Sequence, residues 1–279
     1  MNEIALANAA TPTPVTTCAV WRRSVVGGVI ASSIALFALF GPWLIGVDPA
    51  MQTLADSLLP PSAQHPLGTD VLGRSVLARL ADAAQRSLGL ALLAAITAAV
   101  PGVLLGVTAS GCGGRIERAL VMLADAALSV PGLLLVLLFA ALAPGQHWAI
   151  YVGLSLSLWV EHFRVARAVS RPVLAGDAVQ ASRLLGFGWL YILRRHLLPA
   201  LAPVLTTLLA FSAAQAVLSL AALGFIGVGL QPPTAELGLM MIEFLPHYQE
   251  APWLIAAPVS LLMLVVLAMM LLAGEADAL

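Results

Sequence analysis

Lysine is missing from this chain of 279 residues: all thirteen basic residues are arginines. A P-loop needs a lysine to reach the terminal phosphates of a nucleotide, so no Walker-type ATP site is encoded. Schiff-base and lysine-nucleophile chemistry is excluded on the same ground. Cysteine is nearly missing too. Cys18 and Cys112 are the only two, too few for a disulfide framework. Cys18 follows polar threonines rather than an apolar run, which argues against a lipid anchor, so both are read as free thiols. Charge is also scarce. Charged residues make up 10% of the chain, against roughly a quarter in ordinary globular proteins. The net charge of −1 gives no reason to expect a nucleic-acid partner.

What the chain has instead is apolar surface. Hydrophobic residues make up 61% of it and the mean hydropathy is +0.98, more than one water-facing domain could hide. Apolar runs fall at about 24–46, 87–109, 120–143, 147–169, 200–223 and 252–273. Each approaches or exceeds the ~20 residues that cross a bilayer core. An all-α integral membrane protein of about six transmembrane helices is therefore predicted. Residues 1–20 are small, polar and proline-containing, and are read as a disordered cytoplasmic tail. Arg22 and Arg23 precede the first run, which is longer than the roughly 7–15-residue core of a signal peptide; a first span fits better than a twin-arginine signal. Pro101, Pro131, Pro203 and Pro258 lie in or beside the runs, where neighbouring helices can re-satisfy the freed backbone. Gly102 and Gly106 form a small-xxx-small pair that permits close helix approach.

Six spans leave both ends on one side. Taking that side as the cytoplasm puts Arg22, Arg23, Arg115, Arg118, Arg164, Arg167, Arg171, Arg183, Arg194 and Arg195 inside. Only Arg74, Arg79 and Arg86 remain outside, and the positive-inside rule selects this orientation. Some apparent chemical motifs fail. Glu161-His162 lacks the second histidine of HExxH, Gly153-Leu154-Ser155-Leu156 is not GxSG, and the glycines of 224–229 have no lysine after them. Those glycines are read as allowing tight outer turns. Glu161, near the inner end of the fourth span, is read first as the partner of Arg164, one turn away, and second as a gating residue. His65, His147 and His247 would face outside without ligand spacing, so no metal or cofactor is expected.

The stretch between spans four and five, GDAVQASRLLGFGWLYILRRHLLP at 176–199, carries the strongest signal. Asp177 followed by Gln180 has the form of a capping box. A short helix follows, with Ala181, Leu184 and Leu185 on one face. Gly186 and Gly188 end it, as left-handed helix stops, and a second helical run from Trp189 to Leu198 leads to Pro199. The product is a rigid knob on the cytoplasmic face, suited to docking into a partner's groove.

Gln180-Ala181-Ser182, Gly186 and His196-Leu197-Leu198-Pro199 resemble the EAA loop of ABC importer permeases, in the VQAARxLG…RHxLP variant of the dipeptide/oligopeptide/nickel group. His65-Pro66-Leu67-Gly68-Thr69-Asp70-Val71-Leu72-Gly73-Arg74 resembles the HPLGTDxLGRD signature of its C-type subunits, with Ser75 in place of the usual Asp. Residues 224–234 with Glu236-Leu237-Gly238 resemble FLGLGVQPPTPEWG. The resemblance covers roughly 20–275 and implies the type I importer permease fold. It further implies a cytoplasmic coupling segment 171–199 with its coupling helix at 177–190, in which Asp177, Gln180, Ala181, Ser182, Gly186 and Pro199 couple to the ATPase, and an outer signature of Gly68, Thr69, Asp70, Gly73 and Arg74. Implied partners are a second permease subunit that completes a heterodimer, two cytoplasmic ATPase subunits, an extracytoplasmic solute-binding protein and the bilayer of the bacterial inner membrane. Spans dominated by Ala, Leu, Val and Gly suit di- or oligopeptides; nickel or a metal chelate is the alternative cargo. A stand-alone secondary carrier or a membrane enzyme is the alternative of another class.

Overall fold

The structure, a computed structural model, describes residues 17–273. The expected tail up to residue 16 and the last six residues lie outside the described residues. Helix α1 (Thr17–Ile45) begins inside the segment expected to be tail. Then follow α2 (Val76–Cys112), α3 (Gly114–Leu128), α4 (Gly132–Leu142) and α5 (His147–Ala175), and after them α6 (Asp177–Leu184), α7 (Trp189–Ile192), α8 (Leu198–Ile226), α9 (Leu237–Phe244) and α10 (Pro252–Ala273). No strand occurs among the described residues. The all-α membrane architecture read from composition is the one observed.

Four segments are long and apolar enough to cross a bilayer: Val25–Ile45, Val76–Cys112, Trp189–Ile226 and Pro252–Leu272. The expected span at 120–143 is broken. Its two halves, α3 and α4, meet at 71° across the break, where Pro131 cannot donate a backbone hydrogen bond. Helix α5 is 29 residues long, but Glu161, His162, Arg164, Arg167 and Arg171 make it more polar than the others. Its greater length also moves Glu161 from the inner end of a span to the middle of a helix.

Helices α2 and α5 form the centre of the bundle, and the reason is the small face of α2. Ala91, Ala94, Ala95, Ala98 and Ala109 are buried. A Cβ on Gly102 would lie 2.5 Å from the Trp159 carbonyl oxygen, and one on Gly106 would lie 2.5 Å from that of Phe163. Backbones can come this close only where side chains are missing. With no hydrophobic drive between helices in lipid, such contact and a few polar bonds hold the pair. Thr97 and Ser155 hydroxyls meet at 3.1 Å, and Ser110 Oγ donates to the Arg167 carbonyl at 3.1 Å.

The helices bring residues distant in sequence to two opposite ends. At one, the C-terminus of α2 meets α7, since a Cβ on Gly111 would lie 3.2 Å from the Trp189 ring. Arg167 of α5 donates to Glu117 of α3 at 2.9 Å there. Gly27 of α1 packs on Leu271 of α10. At the other end, the segment 46–75, the start of α2, the end of α8, α9 and the start of α10 come together.

Candidate functional site

The first end carries the segment that the sequence singles out. Helix α6 buries only Val179 and Ser182. Its Ala181, Leu184 and Leu185 point outward together, as the spacing predicts. Leu184 is 90% and Leu185 75% exposed, and Phe187, Trp189, Leu190 and Tyr191 are exposed beside them. This apolar surface is held rigidly. Gly186 adopts φ +80° with open space around it; its N–H bonds Arg183 O at 3.0 Å and the Phe187 N–H bonds Ser182 O at 3.1 Å, which closes the helix with a left-handed turn. Phe187 stacks on Tyr191 at 4.2 Å, and His196 lies edge-on to Tyr191 at 6.1 Å. The same imidazole meets Ser182 Oγ at 3.0 Å, so α6 is pinned to the turn before α8. That turn, Leu193–Leu197, is a π-helix. It precedes Pro199, whose ring would clash with the carbonyl four residues back in a regular helix.

Two details differ from the sequence reading. Asp177 does not cap α6: Gly176 is the N-cap, without a side-chain bond. Gln180 instead donates from Nε2 to the Ala175 carbonyl at 2.9 Å, satisfying the end of α5. Asp177 keeps a favourable place in the first turn, where the helix dipole attracts negative charge. Gly188 is not left-handed; at φ −73° it is the N-cap of α7.

At the opposite end the outer signature folds into one tight structure. Gly68 (φ +74°) and Gly73 (φ +72°) turn the chain, and a Cβ on either would strike a carbonyl, that of Leu59 or that of Thr53. Thr69 Oγ1 accepts from the Leu59 N–H at 2.9 Å and donates to the Asp56 carbonyl. Asp70 is fully buried and accepts four bonds. They come from the Leu72 and Arg74 amides at 2.9 Å each, Arg74 Nε at 2.6 Å and Arg79 Nη1 at 2.8 Å. Ser75, where the family's Asp is missing, caps α2 through the Ala78 N–H at 3.4 Å.

Sequence reasoning missed the rest of this cluster. Arg79 Nη2 donates to Glu243 Oε2 at 2.6 Å and Arg74 Nη2 reaches the same atom at 3.4 Å. The Arg79 guanidinium also lies 5.6 Å from the centre of the Phe244 ring. Two arginines and two carboxylates thus neutralise one another and clamp the signature to α9. From the sequence Arg79 is legible only as one of the three arginines expected outside. Its partner is 164 residues away, with no local signal.

The third motif builds a second joint. Glu236 caps α9 by accepting the Leu239 N–H at 2.8 Å. Gly227 (φ +81°) ends α8 in the expected tight turn, but Gly224 and Gly238 serve close packing. A Cβ on Gly224 would collide with the Glu236 carboxyl, and one on Gly238 with the Ala221 backbone. Burial pushes the Glu236 carboxyl up to about 7, partly countered by the amides of Gly238, Leu239 and Leu237.

Glu161 does not pair with Arg164, contrary to the sequence reading. Arg164 Nη2 bonds Asp125 of α3 at 2.6 Å, because the break in α3–α4 brings that helix alongside. Among the described residues no three His, Cys, Asp or Glu side chains stand together as metal ligands.

The chain is similar to known proteins. The family described as binding-protein-dependent transport system inner membrane component matches residues 102–275, and the N-terminal transmembrane domain of oligopeptide transport permease C matches residues 22–61. The di/tripeptide transport system permease protein DppC of Pseudomonas aeruginosa is 35% identical over 267 residues, 92% of this chain and 88% of the relative. The nickel transport system permease protein NikC of Escherichia coli is 32% identical over 213 residues, 76% of this chain and 77% of the relative. A permease chain in the inward-facing MetNI methionine ABC transporter superposes with a TM-score of 0.53 at 21% identity, covering 69% of this chain and 91% of that one; this likeness is one of fold. With a family match over more than half of the chain and a relative 35% identical over 92% of it, the protein belongs to the family of inner-membrane permease components of binding-protein-dependent ABC importers.

Proposed function

We propose that the chain forms half of the translocation pathway of a di- or oligopeptide importer in the bacterial cytoplasmic membrane. A second permease subunit completes the pathway, and an extracytoplasmic binding protein delivers the solute. Two separate ATPase subunits supply the energy, since the chain has no lysine for a P-loop; the chain itself is not an enzyme. ATP shifts the population of inward- and outward-open states by binding them unequally.

The observation that carries the reading is the exposed apolar knob around Gly186, with Leu184 at 90% exposure. Protein surfaces of this kind mark docking sites. Asp177, Gln180, Ala181, Ser182, Gly186 and Pro199 are its coupling residues: Gln180 and Ser182 fix the helix, Gly186 closes it, and Pro199 sets the join to α8. With the knob in the cytoplasm, the arginine distribution puts both termini there as well. The relatives named for di/tripeptides and D,D-dipeptides, and the lack of a metal-ligand cluster among the described residues, support a peptide cargo.

The experiment has two arms. Affinity purification of the chain should bring down an ATPase subunit. In a strain lacking the gene, uptake of a labelled dipeptide should fall while uptake of radioactive nickel persists. Loss of nickel uptake alone would exchange the cargo and leave the permease assignment standing. Uptake without any copurifying ATPase would favour a stand-alone carrier.

A further inference from the structure

Glu161 is the fifteenth of the 29 residues of α5, so roughly 21 Å of helix lies on either side of it. Its side chain is exposed beside α8, whose segment Trp189–Ile226 is long and apolar enough to cross a bilayer, and a carboxylate among such helices is too costly to face hydrocarbon. It has no ion pair within the described residues, since Arg164 is held by Asp125 and Arg167 by Glu117. It borders a recess of about 180 Å³ between the α3–α4 break, α5 and α8. Ser157 and Glu161, one turn apart on α5, line it from one side. Gln215 and Ser219, one turn apart on α8, line it from the other. Glu161, Gln215 and Ser219 make no side-chain hydrogen bond among the described residues, and apart from Ser157 and Gly132 the rest of the recess lining is Leu, Ala and Val. Val130 and Gly132, at the break, complete the wall. Irregular backbone at membrane depth is tolerated where it is buried in protein or lines water. Unpartnered polar groups beside such a break favour water over a packed subunit contact.

We propose that this recess lines the solute path and that Glu161, with Gln215 and Ser219, binds a positively charged group of the solute as it crosses. For a peptide that group is the terminal ammonium. The identity of the cation rests on the peptide reading above; the position of the site does not. Glu161 is the one charged residue among the described residues that line the recess, and the Gln215 amide and Ser219 hydroxyl can solvate an ammonium through oxygen.

The test uses the whole transporter in proteoliposomes, with Cys18→Ser and Cys112→Ser, and Ser219→Cys added as a reporter. Cationic and anionic methanethiosulfonates of similar size are compared, each rate normalised to a free thiol. A fixed carboxylate in a confined recess should favour the cation by ~10-fold, and Glu161→Gln should bring the ratio to about one. A reporter unreactive in every nucleotide state, or a preference that survives Glu161→Gln, overturns the site. Uptake then identifies the source of the cation. With Glu161→Gln, dipeptide uptake should fall about 10-fold, with Glu161→Asp restoring most of it. A loss confined to nickel would keep the site and remove the peptide reading. Unchanged uptake of both solutes would overturn the proposal.

Discussion

Arg79 has no exposed surface, yet it carries a full charge whose partners come from two distant stretches. Desolvation makes such a charge costly unless every partner is in place. Removing Arg79 leaves Asp70 and Glu243 sharing Arg74, so Arg79→Leu should destabilise the protein by about 3–5 kcal/mol. The double variant Arg79→Leu/Glu243→Leu should be less damaging than the single one, because it removes both ends of a pair. Thermal unfolding in detergent checks both, and a double variant worse than the single would refute the account. Glu236 makes a prediction about pH. Its carboxyl titrates at about 7 in the fold, against 4.5 when free. Below pH 4.5 it is protonated in both states and its burial carries no ionic penalty. Between 4.5 and 7 the unfolded chain alone releases the proton, so stability falls as pH rises, by roughly 3 kcal/mol in total, and levels off above 7. Glu236→Gln should flatten that slope between pH 5 and 8; the same slope in the variant would assign it to another group.

At the scale of elements, α6 and its glycine stop act as one body. Gly186 is left-handed with nothing near its missing side chain, so a substitution there strains the backbone without a clash. Valine at φ +80° costs about 1 kcal/mol or more. That is small for the whole fold but enough to tilt Leu184 and Leu185. Gly186→Val should insert into the membrane normally and lose ATPase copurification and uptake; wild-type uptake would show that 177–190 is not the coupling element. The α3–α4 pair shows the opposite behaviour. The apolar run over 120–143 reads as a continuous span. Pro131 marks where it can break, but hydropathy has no measure of a 71° bend. That bend brings Asp125 to Arg164 and takes Arg164 away from Glu161.

For the whole molecule, the two-ended bundle makes sidedness testable at one residue. Cys112 is exposed and unpaired, at the same end as α6 and α7. A membrane-impermeant thiol reagent should leave it unlabelled in intact cells and label it once the membrane is permeabilised. Rapid labelling from outside would invert the topology and move the knob away from any cytoplasmic ATPase. The outer clamp sits at the far end. There, segment 46–75, α9 and the start of α10 are joined by ion pairs and glycine contacts. The two ends are linked through α2 and α5, whose backbones touch at Gly102 and Gly106.

The sequence alone determined the membrane class and the family, and it set the expectations for orientation and coupling segment, because each is written in local statistics. Apolar run length, arginine bias and the spacing of Gln180, Gly186 and Pro199 do not depend on what packs against them. The left-handed stop at Gly186 was legible for the same reason, whereas the turns at Gly68 and Gly73 were not read from the sequence. Tertiary structure decided every contact between distant residues. Capping by Gly176 rather than Asp177, the pairing of Arg164 with Asp125, the Arg79–Glu243 bond and the isolation of Glu161 each depend on which helices lie side by side. A charge's partner is fixed by distance in space, and the apolar helices that set those distances have side chains too uniform to announce their neighbours.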